Sequence, residues 1–169
     1  MLKGIAIFLF SLFLLAGCSG GETMQIKSNA FQNGRDMPSK YTCDGKNISP
    51  GLVIIDALKT AKSLALIMDD PDSPSGKFLH WLVWNIPGNT TEMKEAQPIG
   101  IQGKNSFNTL GYSGPCPPSG THRYIFRVYA LDTTISLKAG SSRQELEAAM
   151  KSHVLESAEL IGRYARAIK

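Results

Sequence analysis

The chain has 169 residues, 18 lysines and arginines against 14 aspartates and glutamates, and a net charge of +4. Apolar residues make up 43% of it, enough for one domain with a real core. The basic excess is mild and scattered, which excludes a nucleic-acid platform, and there is no internal repeat or low-complexity tract.

In chain order, the first element lies outside the fold. Lys3 precedes an apolar run from Ile5 to Leu15, which ends in Leu15-Ala16-Gly17-Cys18. Such a run is too short for a permanent span and reads as a signal h-region. Its Leu-Ala-Gly-Cys end resembles the lipobox of bacterial lipoproteins, which implies cleavage before Cys18 and acylation of that residue. The alternative is an ordinary secretory leader with an incidental cysteine. Residues 1–17 are thus expected as leader, 18–24 as lipid-anchored tether and 25–169 as the domain. More than one acyl chain makes such an anchor durable. The expected location is the cell envelope, outside the cytoplasm. Ser19, in place of the Asp associated with inner-membrane retention, points toward the outer membrane or cell surface. Cys43 and Cys116 are the remaining cysteines. In an oxidising compartment this even pair favours a disulfide, the alternative being two free, partly buried thiols.

Within the domain, short apolar runs end in Gly, Pro, Asn or Asp. Leu52–Ile55 is the first. Ser63–Met68 runs into Asp69-Asp70-Pro71, where Pro71 ends pairing for want of an N–H. His80–Ile86 stops at Pro87-Gly88, and Tyr124–Leu131 is the most β-prone stretch. The pattern predicts a mostly β, antiparallel sandwich with one or two short peripheral helices. Ser142-Arg143-Gln144-Glu145 is a capping-box pattern, and Leu146, Ala149, Met150 and His153 follow at helical spacing, so a helix is expected over 143–152. Residues 156–168 fit helical spacing and strand alternation alike.

Two segments carry the chemistry: Asp70-Pro71-Asp72-Ser73-Pro74 with His80-Trp81, and Gly114-Pro115-Cys116-Pro117-Pro118 with Thr121-His122-Arg123-Tyr124. Period-two alternation places Asp70 with Leu64, Leu66 and Met68, His80 with Leu82 and Trp84, and His122 with Tyr124, Phe126 and Val128. Three ionisable groups then stand at the ends of buried faces, where convergence makes a pocket. Protonated imidazoles, the Tyr124 hydroxyl and free backbone N–H groups around Gly114 would suit phosphate or carboxylate oxygens. Asp70 and Asp72 would orient the histidines and favour their charged form, strengthening binding at mildly acidic pH. Trp81, Trp84, Phe126 and Tyr129 are expected in the core, Arg123 and Arg127 toward solvent, and His153 at a helix end or in the core.

These segments resemble the signatures of the phosphatidylethanolamine-binding protein family, closest to its bacterial, Raf kinase inhibitor-like branch. Asn33-Gly34, Tyr41-Thr42-Cys43-Asp44-Gly45, Tyr129–Thr133 and His153-Val154-Leu155 extend the likeness over residues 25 to 165. The resemblance implies a β-sandwich with an anion pocket lined by Asp70, Asp72, Phe78, His80, Gly114, Pro115, His122 and Tyr124. It also implies that the chain after His153 returns to the sheet as a strand. Gly51 and Val53-Ile54-Ile55 depart from the family pattern, so the local wall there is expected to differ.

The expected function is non-enzymatic capture of a small anionic ligand, such as a phospholipid head group or an anionic group of a protein partner. The alternative is a phosphoester hydrolase using Asp70, His80 and His122 as acid–base groups. There is no Gly-x-Ser-x-Gly nucleophile motif and no His-x-His or His-x-x-x-His metal spacing, so neither metal nor cofactor is expected.

Overall fold

The structure, a computed structural model, describes residues 23–97 and 99–167. The leader and Cys18 lie outside the described residues. Among those described, no helix is long and apolar enough to cross a membrane.

Among the described residues nine strands form two sheets: β1 (Gln25–Ser28), β2 (Arg35–Asp36), β3 (Leu52–Ile55), β4 (Ser63–Asp70), β5 (Phe78–Pro87), β6 (Glu92–Met93), β7 (Ile101–Gln102), β8 (Thr121–Leu131) and β9 (Val154–Ala165). The smaller sheet runs β1-β3-β6 and the larger β2-β9-β8-β4-β5-β7. Pairing is antiparallel except for the two-residue β2, which lies parallel to β9. Among the described residues the one α-helix, α1 (Arg143–Met150), ends two residues earlier than its spacing suggests, and a single 3-10 turn spans Ser39–Tyr41. The α1 capping box is formed: the Glu145 N–H donates to Ser142 Oγ, and the Ser142 N–H donates to the Glu145 carboxylate.

The larger sheet is covered on both faces, which is why its central strands read as unbroken apolar runs. All eight residues of β4 are buried. One core fills the space between the sheets, from Ile26, Leu52 and Ile54 to Leu64, Leu66, Met68, Trp81, Val83, Phe126 and Leu160. The other lies beneath α1, where Leu146 and Met150 pack on Ala65, Ile67, Leu79, Leu82 and Trp84. Trp81, Trp84 and Phe126 are core residues as expected, and Tyr129 packs half-buried against the second core.

The segment after His153 is a strand: β9 pairs with β8 from Thr121↔Ala165 to Leu131↔Val154. Its first half is largely exposed, Val154 and Leu155 included, and its second half buries Leu160 and Tyr164, so exposure that changes along the strand rather than helicity explains its mixed pattern. His153 is not core: it stands just past the end of α1, where its backbone N–H donates to the Met150 carbonyl at 2.8 Å. Its Nδ1 bonds Asp132 Oδ1 at 2.7 Å on the surface.

Candidate functional site

The site lies where β4, β5 and β8 end together, and a register irregularity assembles it. Between β4 and β5, Met68 faces Trp81 but Asp69 faces Leu79, so His80 is an extra residue in a β-bulge. A second irregularity, between Leu64 and Leu66, falls opposite Asn85, whose φ of 54° suits an asparagine. Parity on β5 therefore inverts twice. Simple alternation would have put His80 under α1 with Leu82 and Trp84. The bulge instead turns its ring to the other face, edge-on to Tyr124 with centroids 5.2 Å apart.

On β4 and β8 parity holds. Asp70 and His122 share the face of Met68 and Tyr124, and His122 Nδ1 stands 2.8 Å from Asp70 Oδ2 with both side chains almost fully buried. A carboxylate only accepts, so Nδ1 donates and Nε2 is the ring atom left for a ligand. His80 is fixed likewise: its Nδ1 donates to the Ser113 carbonyl at 2.7 Å, again leaving Nε2. Burial is the largest influence on His80 and pushes its pKa down, outweighing the Ser113 carbonyl and the Asp70 charge. The neighbouring carboxylates do pull it upward, as expected, but burial outweighs them and the net shift is downward.

Asp72 does not orient a histidine. Its carboxylate accepts from the Arg123 backbone N–H, from Nε at 2.8 Å and from Nη2 at 2.6 Å. That clamp holds its pKa down at about 2 despite some desolvation. The Asp72 N–H in turn donates to Asp70 Oδ1 at 2.8 Å, tying the turn to the buried pair. Arg123 is solvent-facing as expected. Arg127 is only partly so: its Nη1 reaches Asp69 Oδ1 at 2.8 Å, while Arg143 Nη1 from α1 takes Asp69 Oδ2 at 2.7 Å. Adjacent carboxylates on β4 thus serve opposite faces of the sheet.

Gly114 and Pro115 form the frame behind the cleft and supply no free donors to it. The Gly114 N–H donates to Asn47 Oδ1 at 2.7 Å, and the Cys43 N–H to the Pro115 carbonyl at 3.0 Å. A Cβ on Gly114 would stand 2.3 Å from the Tyr41 carbonyl oxygen, so only glycine permits this approach. A Cys43–Cys116 disulfide, Cα atoms 5.4 Å apart, closes the frame. Tyr124 lies beneath the site with its hydroxyl buried and outside hydrogen-bond geometry. Burial and then the Asp70 charge raise its pKa, which keeps it a neutral phenol.

The cleft itself measures about 280 Å³ and is lined by His80, His122, Asp70, Phe78, Phe107 and Pro117, with Cys116 and the 73–75 turn completing it. Alternation missed Phe107, whose ring meets Phe78 edge-on at 4.9 Å. It sits on a loop organised by Asn105, whose Oδ1 accepts from the backbone N–H groups of Phe107 and Thr109. The Asn105-Ser-Phe-Asn turn composition was the available signal. A hollow of about 440 Å³ along β1 and β9 is larger but holds no histidine. A shallow basin on the far side of His122 is walled by Asp72, Arg123 and Arg163. Of the departing segment, Leu52–Ile55 forms β3, and none of residues 51–55 lines the cleft. Among the described residues, no three His, Cys, Asp or Glu side chains gather as a metal site would require.

Comparison with known proteins agrees with this architecture. The family model for phosphatidylethanolamine-binding protein matches residues 27–165. A UPF0098 protein of Pyrococcus horikoshii is 49% identical over 177 residues, covering 96% of this chain and 89% of the relative. One of Methanothermobacter thermautotrophicus is 50% identical over 150 residues, covering 85% and 99%. The crystal structure of a phosphatidylethanolamine-binding protein homologue from Chlamydia trachomatis superposes with a TM-score of 0.83 at 41% identity, covering 86% of this chain and 99% of the other. E. coli YbcL, described as a member of the mammalian family, gives 0.80 at 29%, covering 86% and 100%. With a matching family model, close relatives and a common fold, the chain belongs to the phosphatidylethanolamine-binding protein family.

Proposed function

We propose that this protein captures a small anionic group, of the phosphate or carboxylate kind, in the His80–His122 cleft without turning it over. The observation that carries this reading is the pair of imidazoles pinned through Nδ1, to Ser113 and to Asp70, in a small cleft with aromatic and proline walls. Pinned rings lose little rotational freedom on binding. Hydrolysis has less support: Cys116 is tied in the disulfide, and the cleft serines Ser73 and Ser75 bond each other at 3.0 Å rather than either histidine. Cleavage before Cys18 and its acylation would tether this module to the cell envelope. The captured group would then be a free phosphoryl head group such as phosphoethanolamine or an anionic side chain of a protein partner.

Titration with phosphoethanolamine, followed through the His80 and His122 ring resonances, tests the capture. Saturable shifts at millimolar ligand that vanish in His122→Ala are expected. Unmoved resonances in the folded wild type refute the reading. Metabolic labelling with palmitate, lost in Cys18→Ser, tests the anchor.

A further inference from the structure

We infer that the cleft selects oxyanions that still carry a proton, phosphate monoesters and phosphonates as monoanions, over sulfate esters and phosphodiesters. This rests on anion capture at the same site. The deciding contact is the 2.7 Å bond from His80 Nδ1 to the Ser113 carbonyl. A carbonyl accepts only, so the neutral ring has its proton on Nδ1 and a bare lone pair at Nε2. In the cleft, that lone pair repels a fully ionised oxygen and accepts from a P–O–H.

The surroundings of His80 keep it neutral. Asp70 on β4 gives its Oδ2 to His122, and Asp69 is engaged on the far face by Arg127 and Arg143. From β8 the ring meets the edge of Tyr124, from its own strand Phe78 at 5.3 Å, and from the 105–109 loop Phe107 at 5.8 Å. Ser113 and Gly114 contribute backbone alone. Among the described residues no carboxylate bonds His80, and burial in this aromatic shell outweighs the remaining attraction for a proton.

His122 is the complementary half. Its Nδ1 is held by Asp70, and its Nε2 bears a proton whenever the ring is an imidazolium, the form that suits an anionic oxygen. The bound ester donates its O–H to His80 Nε2 and accepts at another oxygen from His122 Nε2. The proton is shared between oxygen and nitrogen with no bond to phosphorus made or broken. Capture of the monoanion takes up no proton at His80, whereas capture of a dianion draws one from solvent.

Methyl phosphate and methyl sulfate are matched probes, alike in shape and, as monoanions, in charge, differing by that proton. The test uses the full chain in detergent near pH 6.5, close to the second ionisation of a phosphate monoester at about 6. Methyl phosphate, referred to its monoanion concentration, is expected to bind at least about tenfold more tightly, because sulfate leaves the buried Nε2 facing an anion unpaired. Calorimetry near pH 8 in two buffers of different ionisation heat should register uptake of at least about one proton per ester bound, one for the dianion and a further share wherever a neutral His122 must charge. His80→Phe keeps the ring stack and should bring the two esters within about twofold. Wild-type affinities within about threefold of each other, or no proton uptake near pH 8, overturn the selection while leaving capture intact. Failure of both esters to bind at millimolar concentration removes capture itself, and the selection with it.

Discussion

Replacing both Cys43 and Cys116 by Ser isolates the contribution of the bridge to the whole fold. The two cysteines are 73 residues apart in sequence, so the bridge closes a long loop in the unfolded chain. The chain-entropy relation gives about 15 cal/mol/K for a loop of that size, or roughly 4 kcal/mol at 25 °C. Packing offsets little of this, since Cys43 is exposed and Cys116 half-buried, and serine leaves almost no void at either. Three hydrogen bonds still join the same segments: Tyr112 Oη to the Tyr41 carbonyl, the Gly114 N–H to Asn47, and the Cys43 N–H to the Pro115 carbonyl. The native frame therefore survives without the bridge, and the loss falls mainly on the unfolded state. Urea denaturation of the double variant should show a loss of about 3–4 kcal/mol, with a steeper transition as the freed chain exposes more surface. Adding dithiothreitol should move the wild type to the variant's midpoint and leave the variant unmoved. A double variant within about 1 kcal/mol of the wild type, or a wild type indifferent to reductant, would refute this account.

Gly114→Ala drives a Cβ into the Tyr41 carbonyl and should cost about 1–3 kcal/mol while shifting Ser113 and weakening ligand binding. Gly120→Ala has open space and a φ of 68°, so a loss of only about 1 kcal/mol is expected in the same urea series. Asp69→Ala strands two guanidiniums beside a buried position and should cost about 3 kcal/mol, the low end for a broken buried pair because Glu159 and Glu147 still hold Arg127 and Arg143. Asp72→Ala removes a largely solvated clamp and should cost about 1 kcal/mol; equal losses for the two aspartates would contradict the burial argument. His80 is held neutral by burial, so below its unfolded value of 6.5 the unfolded chain binds a proton that the folded one resists. Stability should therefore fall on acidification through that range, and a difference profile against His80→Phe isolates the step. The Asp72 contribution is present above 3.8 and lost toward pH 2, and Asp72→Asn should flatten that limb of the urea-midpoint profile.

The sheet strands and the capped helix were legible because their signals are local: apolar runs closed by turn residues, and a Ser-x-x-Glu box. Asp70, His122 and Tyr124 could be placed by alternation because β4 and β8 pair without a slip from Ser63↔Leu131 to Asp69↔Ile125. His80 could not, since a bulge is a property of two strands in register and leaves no mark on the period of one. The frame was misread for a similar reason. Gly114 suggested free N–H groups, but its donor is taken by Asn47, which lies 67 residues away. The strands β1, β2, β6 and β7 are two to four residues long, too short for any period to show.

Three carboxylates within four residues border a cleft proposed to hold an anion, which looks self-defeating until their partners are traced. Asp69 turns to the α1 face and meets two arginines, Asp70 meets His122, and Asp72 closes on Arg123 at the surface. The carboxylate at the cleft wall is thus spent on holding an imidazole, and the other two face cations elsewhere. Replacing Asp70 by Asn tests whether that charge serves the ligand or only the ring. An amide oxygen still accepts from Nδ1 but no longer stabilises an imidazolium. Asp70→Asn should therefore keep the His122 orientation and weaken methyl phosphate binding, because the amide leaves no negative charge behind the ring that faces the anion. If the carboxylate chiefly repelled the ligand, the same variant would bind more tightly across the whole pH range. Binding titrations between about pH 5 and 8 separate these outcomes, and tighter binding throughout would overturn the role of Asp70 as the support of a charged His122.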